Sequence, residues 1–224
     1  MTFSIVARCA STGMFGVAVC SSSPAVAARC SFARAGVGAA TSQNITDPVL
    51  GERLIEAMAK GAGAPQALAD LTARQPLIAY RQMIAVDAHG DTAVFSGSRT
   101  LGEHATAKAQ DVAAAGNLLA DKDVPAAMVT AFQAGGGLLG DRLLAAMRAA
   151  MAAGGEAGPV HSAGLKIVDK LSWPTVDLRV DWADEGVIDQ LQRLWDIYRP
   201  QADDYVARAL NPGAAPGFGV PGDP

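Results

Sequence analysis

Thr2 is the residue whose type and position indicate chemistry most directly. A side chain this small after the initiator Met1 permits removal of the methionine, which would leave a hydroxyl and a free α-amine on one residue. An α-amine titrates near ~8, so at neutral pH its uncharged fraction can take the hydroxyl proton, directly or through a water. Such a residue can attack an amide without a histidine. Chance remains the competing interpretation, because many unrelated proteins begin Met-Thr, and a retained Met1 would remove the base.

Side-chain amides form the second group of candidates. Gln43 and Asn44 follow a segment rich in glycine and alanine, and Asn117 follows Gly116. An amide beside small residues can donate a hydrogen bond to a tetrahedral oxyanion, an interaction that lowers a barrier by roughly 3 kcal/mol. The same amides can cap turns. For Asn44, just before a predicted helix start, the two roles are equally favoured.

Serines supply weaker candidates. Ser98 and Ser162 could orient the α-amine or contact a substrate, although a structural role is the stronger interpretation for both. Ser22 and Ser23 lack the strand-turn-helix context of a nucleophile elbow. A conventional serine triad is therefore less favoured than a terminal threonine.

Metals, cofactors and nucleic acids are not expected. His89, His104 and His161 show no ligand spacing and have no neighbouring pair of carboxylates. No phosphate-loop or dinucleotide fingerprint occurs. The chain carries 18 Lys+Arg against 22 Asp+Glu, a net charge of -4, without a basic cluster that would bind a phosphate backbone.

Composition predicts a globular protein of the cytoplasm. Half of the 224 residues are apolar, enough for a substantial core, yet no run reaches the ~18–20 apolar residues that span a bilayer. The start of the chain lacks the charged leader of a secretory signal. Cys9, Cys20 and Cys30 match no zinc or redox spacing, and we interpret them as reduced thiols.

The elements that must position these residues follow from periodicity and turn chemistry. Apolar, β-branched runs separated by Gly, Pro and polar turns predict strands, and apolar residues at helical spacing predict helices. Asp47 is placed as the cap of the first long helix, with Pro48 just inside it and Gly61 at its end. The predicted strands cover residues 2–8, 15–21, 37–43, 78–86, 92–95, 163–169 and 176–180, and the predicted helices cover 48–60, 64–74, 123–133, 140–152 and 188–210, the last interrupted by Pro200.

The order of these elements indicates the fold class. Antiparallel hairpins alternate with helix pairs, which favours α+β over a doubly wound parallel sheet. We expect one domain over residues 1–210. A Gly/Pro-rich tail over 211–224 cannot hold a helix and is expected to be loose or bound to a partner.

Several blocks in a fixed order carry a family resemblance. They are Thr2-Phe3-Ser4-Ile5-Val6-Ala7-Arg8, Gly16-Val17-Ala18-Val19, Ala33-Arg34-Ala35-Gly36-Val37-Gly38-Ala39, Tyr80-Arg81-Gln82, Ser96-Gly97-Ser98, Gly116-Asn117-Leu118-Leu119 and Val176-Asp177-Leu178-Arg179-Val180. Over residues 2–210 the chain resembles the DUF1028 family. That family is grouped by resemblance with the N-terminal nucleophile (Ntn) hydrolases, which include proteasome β subunits. The resemblance implies a four-layer αββα sandwich of two antiparallel sheets, with the nucleophile on the first strand.

The resemblance also implies roles for particular residues. It makes Thr2 the nucleophile and Arg34 the basic side chain that lowers the pKa of the α-amine, with an ordinary surface arginine as the equal alternative. It favours a functional role for Asn117. Cys9, where the family commonly has an acidic residue, and His161, where it has a glutamine, depart from the pattern and put details of the pocket in doubt.

The sequence therefore predicts an N-terminal-threonine amidohydrolase. It would cleave a C–N bond of a small amide or peptide-like compound through an acyl-Thr2 intermediate, with catalytic Thr2, Arg34 and Asn117 and substrate contacts from Gln43, Asn44, Ser98 and Ser162. The alternative is a catalytically inactive Ntn-fold module that binds a metabolite or protein. We expect a homodimer or higher homo-oligomer in either case.

Overall fold

The computed structural model describes residues 1–220, which form an α+β fold with two antiparallel sheets. The first sheet has six strands in the order β10-β9-β2-β1-β8-β7, and the second has four in the order β3-β4-β5-β6. In chain order the strands are β1 (Thr2–Arg8), β2 (Phe15–Ser21), β3 (Ser31–Arg34), β4 (Gly38–Asn44), β5 (Arg81–Asp87), β6 (Thr92–Ser96), β7 (His104–Ala109), β8 (Val112–Asn117), β9 (Ser162–Val168) and β10 (Val176–Val180).

Most of the helices cover the outer faces of the two sheets. In chain order the helices are α1 (Ala27–Cys30), α2 (Pro48–Ala59), α3 (Ala64–Arg74), α4 (Val124–Ala134), α5 (Leu139–Ala152), α6 (Val187–Tyr198) and α7 (Ala202–Leu210). Helices α4, α5 and α6 share an apolar core with the six-stranded sheet, and α2 and α3 share another with the four-stranded sheet. A third core lies between the sheets. The expected four-layer αββα sandwich is thus observed.

Strand β1 lies in the middle of the six-stranded sheet and faces two different cores. Side chains alternate along a strand, so Phe3 and Ile5 pack towards the helices while Val6 packs between the sheets. Thr2 and Ser4 have the same parity as Val6. The start of the chain therefore projects its polar side chains into the space between the two sheets.

Local signals located most of these elements. Strands β1 and β2 have the predicted bounds, as does α3. Asp47 caps α2 as expected, since its carboxylate accepts a hydrogen bond from the backbone of Val49 at 3.2 Å. The sequence did not predict β3, β7, β8 or the short α1.

The long final helix predicted over residues 188–210 is two helices. Helix α6 ends at Tyr198, residues 199–201 form one 3₁₀ turn that contains Pro200, and α7 begins at Ala202. Proline has no N–H to donate and disturbs the preceding turn, which accounts for the break.

The described part of the predicted tail folds back and contacts the end of α7. Residues 212–214 form a 3₁₀ turn, and the Arg208 guanidinium lies 3.9 Å from the centre of the Phe218 ring. Arg208 also donates to the carbonyls of Pro216 and Gly217. Residues 221–224 of the predicted tail lie outside the described residues.

Across residues 1–220, none of the helices has the length and apolar character that crossing a membrane requires.

Candidate active site

A row of polar side chains crosses one end of the six-stranded sheet. Thr2 on β1 pairs with Asn117 on β8, and Ser21 on β2 pairs with Ser162 on β9. The hydroxyls of Thr2 and Ser21 are 3.3 Å apart, which joins the two pairs. All four side chains are buried and share the face that looks towards the second sheet. The fold thus brings three predicted site residues, Thr2, Asn117 and Ser162, onto one line.

Two hydroxyls of this row converge on one carbonyl oxygen. The Thr2 hydroxyl donates to the carbonyl of Met1 at 2.5 Å, and the Ser21 hydroxyl donates to the same oxygen. Hydrogen-bond donors fixed around one oxygen stabilise negative charge that develops there. The position next to the Thr2 hydroxyl is therefore one where a carbonyl is polarised.

A hydrogen-bond chain extends from Ser21 to a cationic side chain. The Ser21 hydroxyl is 2.8 Å from that of Ser23, and Arg29 donates to the Ser23 hydroxyl at 2.5 Å. Arg29 also donates to the carbonyls of Pro24 and Ala25, which holds the guanidinium against this turn. These hydrogen bonds connect the positive charge of Arg29 to the Met1 carbonyl through the hydroxyls of Ser23 and Ser21.

Ser162 has a structural role in the same turn. Its hydroxyl donates to the Ser23 carbonyl at 2.6 Å and accepts from the backbone of Val26 at 3.1 Å. Both bonds attach the segment after β2 to the start of β9. The Ser162 hydroxyl therefore supports the Ser21–Ser23 turn, instead of making the predicted contact with an amine or substrate.

A buried amide network fastens the row to the second sheet. Gln82 on β5 donates to the Gly116 carbonyl at 2.9 Å, while its own side-chain oxygen accepts from Gln43 at 2.8 Å and from Asn117 at 3.1 Å. Gln43 in turn accepts from the Ser4 hydroxyl at 2.6 Å. These side chains have no exposed surface, so each must be satisfied within the protein.

The orientation of Asn117 follows from this network. Its amide nitrogen faces the Gln82 oxygen, and its Oδ1 is buried without a hydrogen-bond partner among residues 1–220. Gln82 already uses its own amide nitrogen on Gly116 and Ser96, so it presents an acceptor to Asn117. Asn117, the strand partner of Thr2, consequently keeps an unbonded acceptor, where the sequence suggested an oxyanion donor.

Glu156 is a buried carboxyl beside the row. Its backbone bridges that of Leu119, just beyond β8, and its Oε2 accepts from the backbone of Ser22 at 3.3 Å. The other oxygen, Oε1, is buried without a partner in the described part of the chain. Burial raises the pKa of Glu156 to about 7, although the α-amine of Met1 acts in the opposite direction.

Comparison with known proteins places the chain in a family. A model of DUF1028, a family of unknown function, matches residues 2–191. The chain belongs to the DUF1028 family. Protein SPO2555 from Silicibacter pomeroyi, a DUF1028 protein of known crystal structure, is 30% identical over 88% of each chain with a TM-score of 0.82.

Other comparisons add little to this assignment. Anbu, an ancestral β-subunit from Yersinia bercovieri, covers 97% of this chain and 100% of its own, at 8% identity and a TM-score of 0.39, which is too low to support an argument. No curated protein matches the chain.

Arg34 does not join the site of this DUF1028 chain. It is exposed at the end of β3 and lines a cavity with Val168. Val168 pairs with Phe15, which pairs with Arg8 at the far end of β1. Six residues of strand, about 20 Å, separate that end from Thr2. The alternative of an ordinary surface arginine describes Arg34 better.

Asn44 and Ser98 also lie apart from the polar row. Asn44 has a left-handed backbone (φ +74°), donates to the Tyr80 carbonyl at 2.6 Å and accepts from the backbone of Leu101 at 3.2 Å. These bonds are those of a turn residue. Ser98 is exposed in the turn after β6.

Sequence reasoning missed four residues of this site: Ser21, Arg29, Gln82 and Glu156. The predicted hairpin register already contained Ser21, because a strand at residues 15–21 antiparallel to 2–8 sets Ser21 opposite Thr2. Gln82 lay within a family-like block. Arg29 and Glu156 follow no motif. Within residues 1–220, no group of three His, Cys, Asp or Glu side chains that could hold a metal ion occurs.

Replacing Gln82 by methionine tests the amide network. We expect Gln82→Met to lower the free energy of unfolding by about 3 kcal/mol, because Gln43, Asn117 and Gly116 each lose a buried hydrogen bond to Gln82 and an unsatisfied buried group costs about 1–3 kcal/mol. Urea unfolding measures the change. The matched control is Gln75→Met, whose amide bonds Arg53 at the surface and which should stay within about 0.5 kcal/mol. A small loss for Gln82→Met would show that the network carries little stability.

The raised pKa of Glu156 predicts a pH dependence of folding. An unfolded glutamate loses its proton near its ordinary pKa of 4.5 and the folded one near 7, so stability is full below 4.5 and declines until pH 7. The decline amounts to about 3 kcal/mol at about 1.4 kcal/mol per pKa unit. Glu156→Gln should remove it, leaving the variant more stable than the parent at pH 7 relative to pH 4.5. The free energy of unfolding is measured with urea at each pH. An equal change in this free energy for the parent and the variant between pH 4.5 and pH 7 would contradict the prediction.

Proposed function

We propose that this DUF1028 protein is an N-terminal-threonine amidohydrolase that cleaves a C–N bond of a small amide or peptide-like compound. One observation carries the proposal: the hydroxyls of Thr2 and Ser21 converge on a carbonyl oxygen at the start of β1. A nucleophile and an oxyanion donor around one carbonyl are the groups that amide cleavage needs.

In the proposed reaction, removal of Met1 frees the Thr2 α-amine. Asn117 is the strand partner of Thr2, and the Cβ atoms of such a pair lie about 4.5–5.5 Å apart. In the proposal, the unpartnered Oδ1 of Asn117 orients the amine. The amine takes the Thr2 hydroxyl proton while the oxygen attacks the substrate carbonyl. Ser21, polarised through Ser23 by Arg29, donates to the oxyanion.

The two halves of the reaction balance through Thr2. The C–N bond breaks as the α-amine passes its proton to the leaving nitrogen, and an ester to the Thr2 oxygen remains. A water then gives its proton to the α-amine and attacks the ester. The acid leaves, and Thr2 recovers its hydroxyl proton.

A different cavity supports the alternative of a binding module without catalysis. A cavity of about 360 Å³ lies among α5, β9, β10, α6 and α7, with Leu139, Ile167 and Trp195 in its wall. Charged residues of both signs line its edge: Asp169, Asp203, Lys170 and Arg199. Met14, in the turn after β1, also lines it, which places it at the opposite end of the sheet from Thr2. A ligand with an apolar body suits this lining, and its binding needs no free amine.

The cysteines support the expected compartment. Cys9, Cys20 and Cys30 are free thiols, and the last two are buried. Free thiols persist in reducing compartments, so we propose a cytoplasmic protein. The accessible cysteine, Cys9, checks this: it should be modified by a thiol reagent without prior reduction in protein taken directly from the host, and resistance to the reagent would contradict it.

Intact mass and a Thr2 variant test the hydrolase. Protein from the native host should be lighter by one methionine, and a β-lactone should add one acyl group to it. Thr2→Ala should abolish both this labelling and amide turnover, because the attacking oxygen is gone, whereas Thr2→Ser should retain both. Quantitative retention of Met1, or undiminished labelling of Thr2→Ala, would contradict the proposal and leave the binding module.

We also propose a homo-oligomer formed through the outer side of α6 and α7. Leu194, Ile197, Tyr205 and Leu210 are apolar and 37% to 60% exposed on these helices, and exposed apolar side chains in one region indicate contact surfaces. Light scattering at micromolar concentration should give at least a dimer mass. Ile197→Asp should lower that mass, while Val49→Asp, at a comparably exposed apolar position on α2, should not. A monomer for the parent chain would contradict the proposal.

A further inference from the structure

Met1 marks the place where an acyl group bound to Thr2 would lie. It is half-buried, and its carbonyl is the one that accepts from the hydroxyls of Thr2 and Ser21. A methionyl group on the Thr2 nitrogen and a substrate acyl group on the Thr2 oxygen are attached to the same residue. The surroundings of Met1 therefore describe the surroundings of the acyl half of a substrate.

Glu156 lies beside this group, bonded to the backbone of Ser22, the residue that follows Ser21. Its side chain belongs to a residue that is only 5% exposed, and Oε1 is buried without a partner in the described chain although Oε2 is bonded to the backbone of Ser22. A buried oxygen without a partner costs about 1–3 kcal/mol. The positive α-amine of Met1 is near enough to lower the pKa of this carboxyl. An ammonium group is thus the complement that this corner lacks.

Gly158 lies beside the side chain of Met1. A Cβ atom on Gly158 would come within 3.2 Å of the methionine Cε and 3.7 Å of its Sδ. The absence of a side chain at Gly158 leaves room for a linear chain of this length. A β-branched side chain at position 158 would fill the same space.

From this arrangement we propose that the substrate is an α-aminoacyl amide, with a free amino group and an unbranched apolar side chain. Glu156 binds the ammonium group, Ser21 donates to the carbonyl, and Gly158 leaves room for the side chain. The bond between the aminoacyl carbonyl and the leaving nitrogen breaks, and water supplies the hydroxyl of the amino acid released and the proton of the amine released. This inference rests on the proposed hydrolase function.

Glu156 could instead pair with the α-amine of Thr2 itself. That role would affect every substrate equally, since the amine of Thr2 acts on all of them. Binding of the substrate amine affects only substrates that possess one. Two amides that differ only in the α-amine therefore separate the two roles.

The experiment compares methioninamide with 4-(methylsulfanyl)butanamide, the same amide without its α-amine. Protein shown by mass to begin at Thr2 should cleave methioninamide with a kcat/KM about 10- to 100-fold higher, the factor that corresponds to one hydrogen-bonded charge pair. Glu156→Gln should remove that preference by lowering kcat/KM for methioninamide towards that for the second amide. Glu103→Gln is the matched control, because Glu103 forms an exposed ion pair with Lys122 and should change neither rate.

A second variant tests the side-chain space. Gly158→Val should lower kcat/KM for methioninamide about 10-fold or more while cleavage of glycinamide stays within about twofold, because only the longer side chain reaches position 158. An equal loss for both amides would overturn this part of the proposal. The comparison of the two amides on the parent chain needs no variant, so a variant that fails to fold does not remove the test.

Failure of this inference differs from failure of the hydrolase proposal. Equal cleavage of both amides, or an equal loss of both in Glu156→Gln, overturns α-amine recognition and leaves the hydrolase. If neither amide is cleaved, calorimetry measures the binding of methioninamide to the Thr2→Ala variant. Binding that is lost when Glu156→Gln is added to this variant supports recognition without catalysis. No binding and no cleavage overturns the inference.

Discussion

The buried contact between Gln82 and the end of β8 is the interaction on which the site depends. Gln82 lies on the four-stranded sheet, while Gly116 and Asn117 lie on the six-stranded sheet beside β1. Apolar packing between the sheets fixes their separation but allows small lateral shifts, because dispersion contacts have little directionality. Hydrogen bonds between amides of fixed geometry remove this freedom. The strand that carries Thr2 is therefore positioned by polar contacts across the sandwich.

Sequence patterns located the elements better than they located the ends of the elements. The hairpin of β1 and β2 and the capped helix α2 have strong local signals, so their prediction needed no tertiary information. Strand β7 has none: its residues are alanine, threonine, lysine and histidine, and its side chains are not fully buried. Its strand conformation comes from pairing with β8. The resemblance supplied the layer order that these local signals lacked.

The resemblance pointed to Asn117, and the register of the first hairpin could have added one more residue of the site. Thr2 and Ser21 could be brought together from the sequence, since two strands joined by a short turn have a defined pairing. Arg34 shows where this reasoning stops. Its position on a strand does not tell whether it lies at the same end of the sandwich as Thr2 or at the opposite end. Glu156 comes from a glycine-rich segment after α5, and its long-range contacts with Leu119 and Ser22 bring it beside the row. Such long-range contacts leave no periodic signal in one sequence.

The enclosure of Met1 has a consequence for the timing of maturation. An aminopeptidase must reach an extended, accessible chain end, whereas here the first peptide group lies within the sandwich, with its oxygen bonded to two hydroxyls. In the proposed hydrolase, excision of Met1 would therefore take place on the nascent chain, before β1 is enclosed between β2 and β8. Molecules that folded first would keep their methionine. The active fraction in a cell would then be set during translation and would change only as new chains are made.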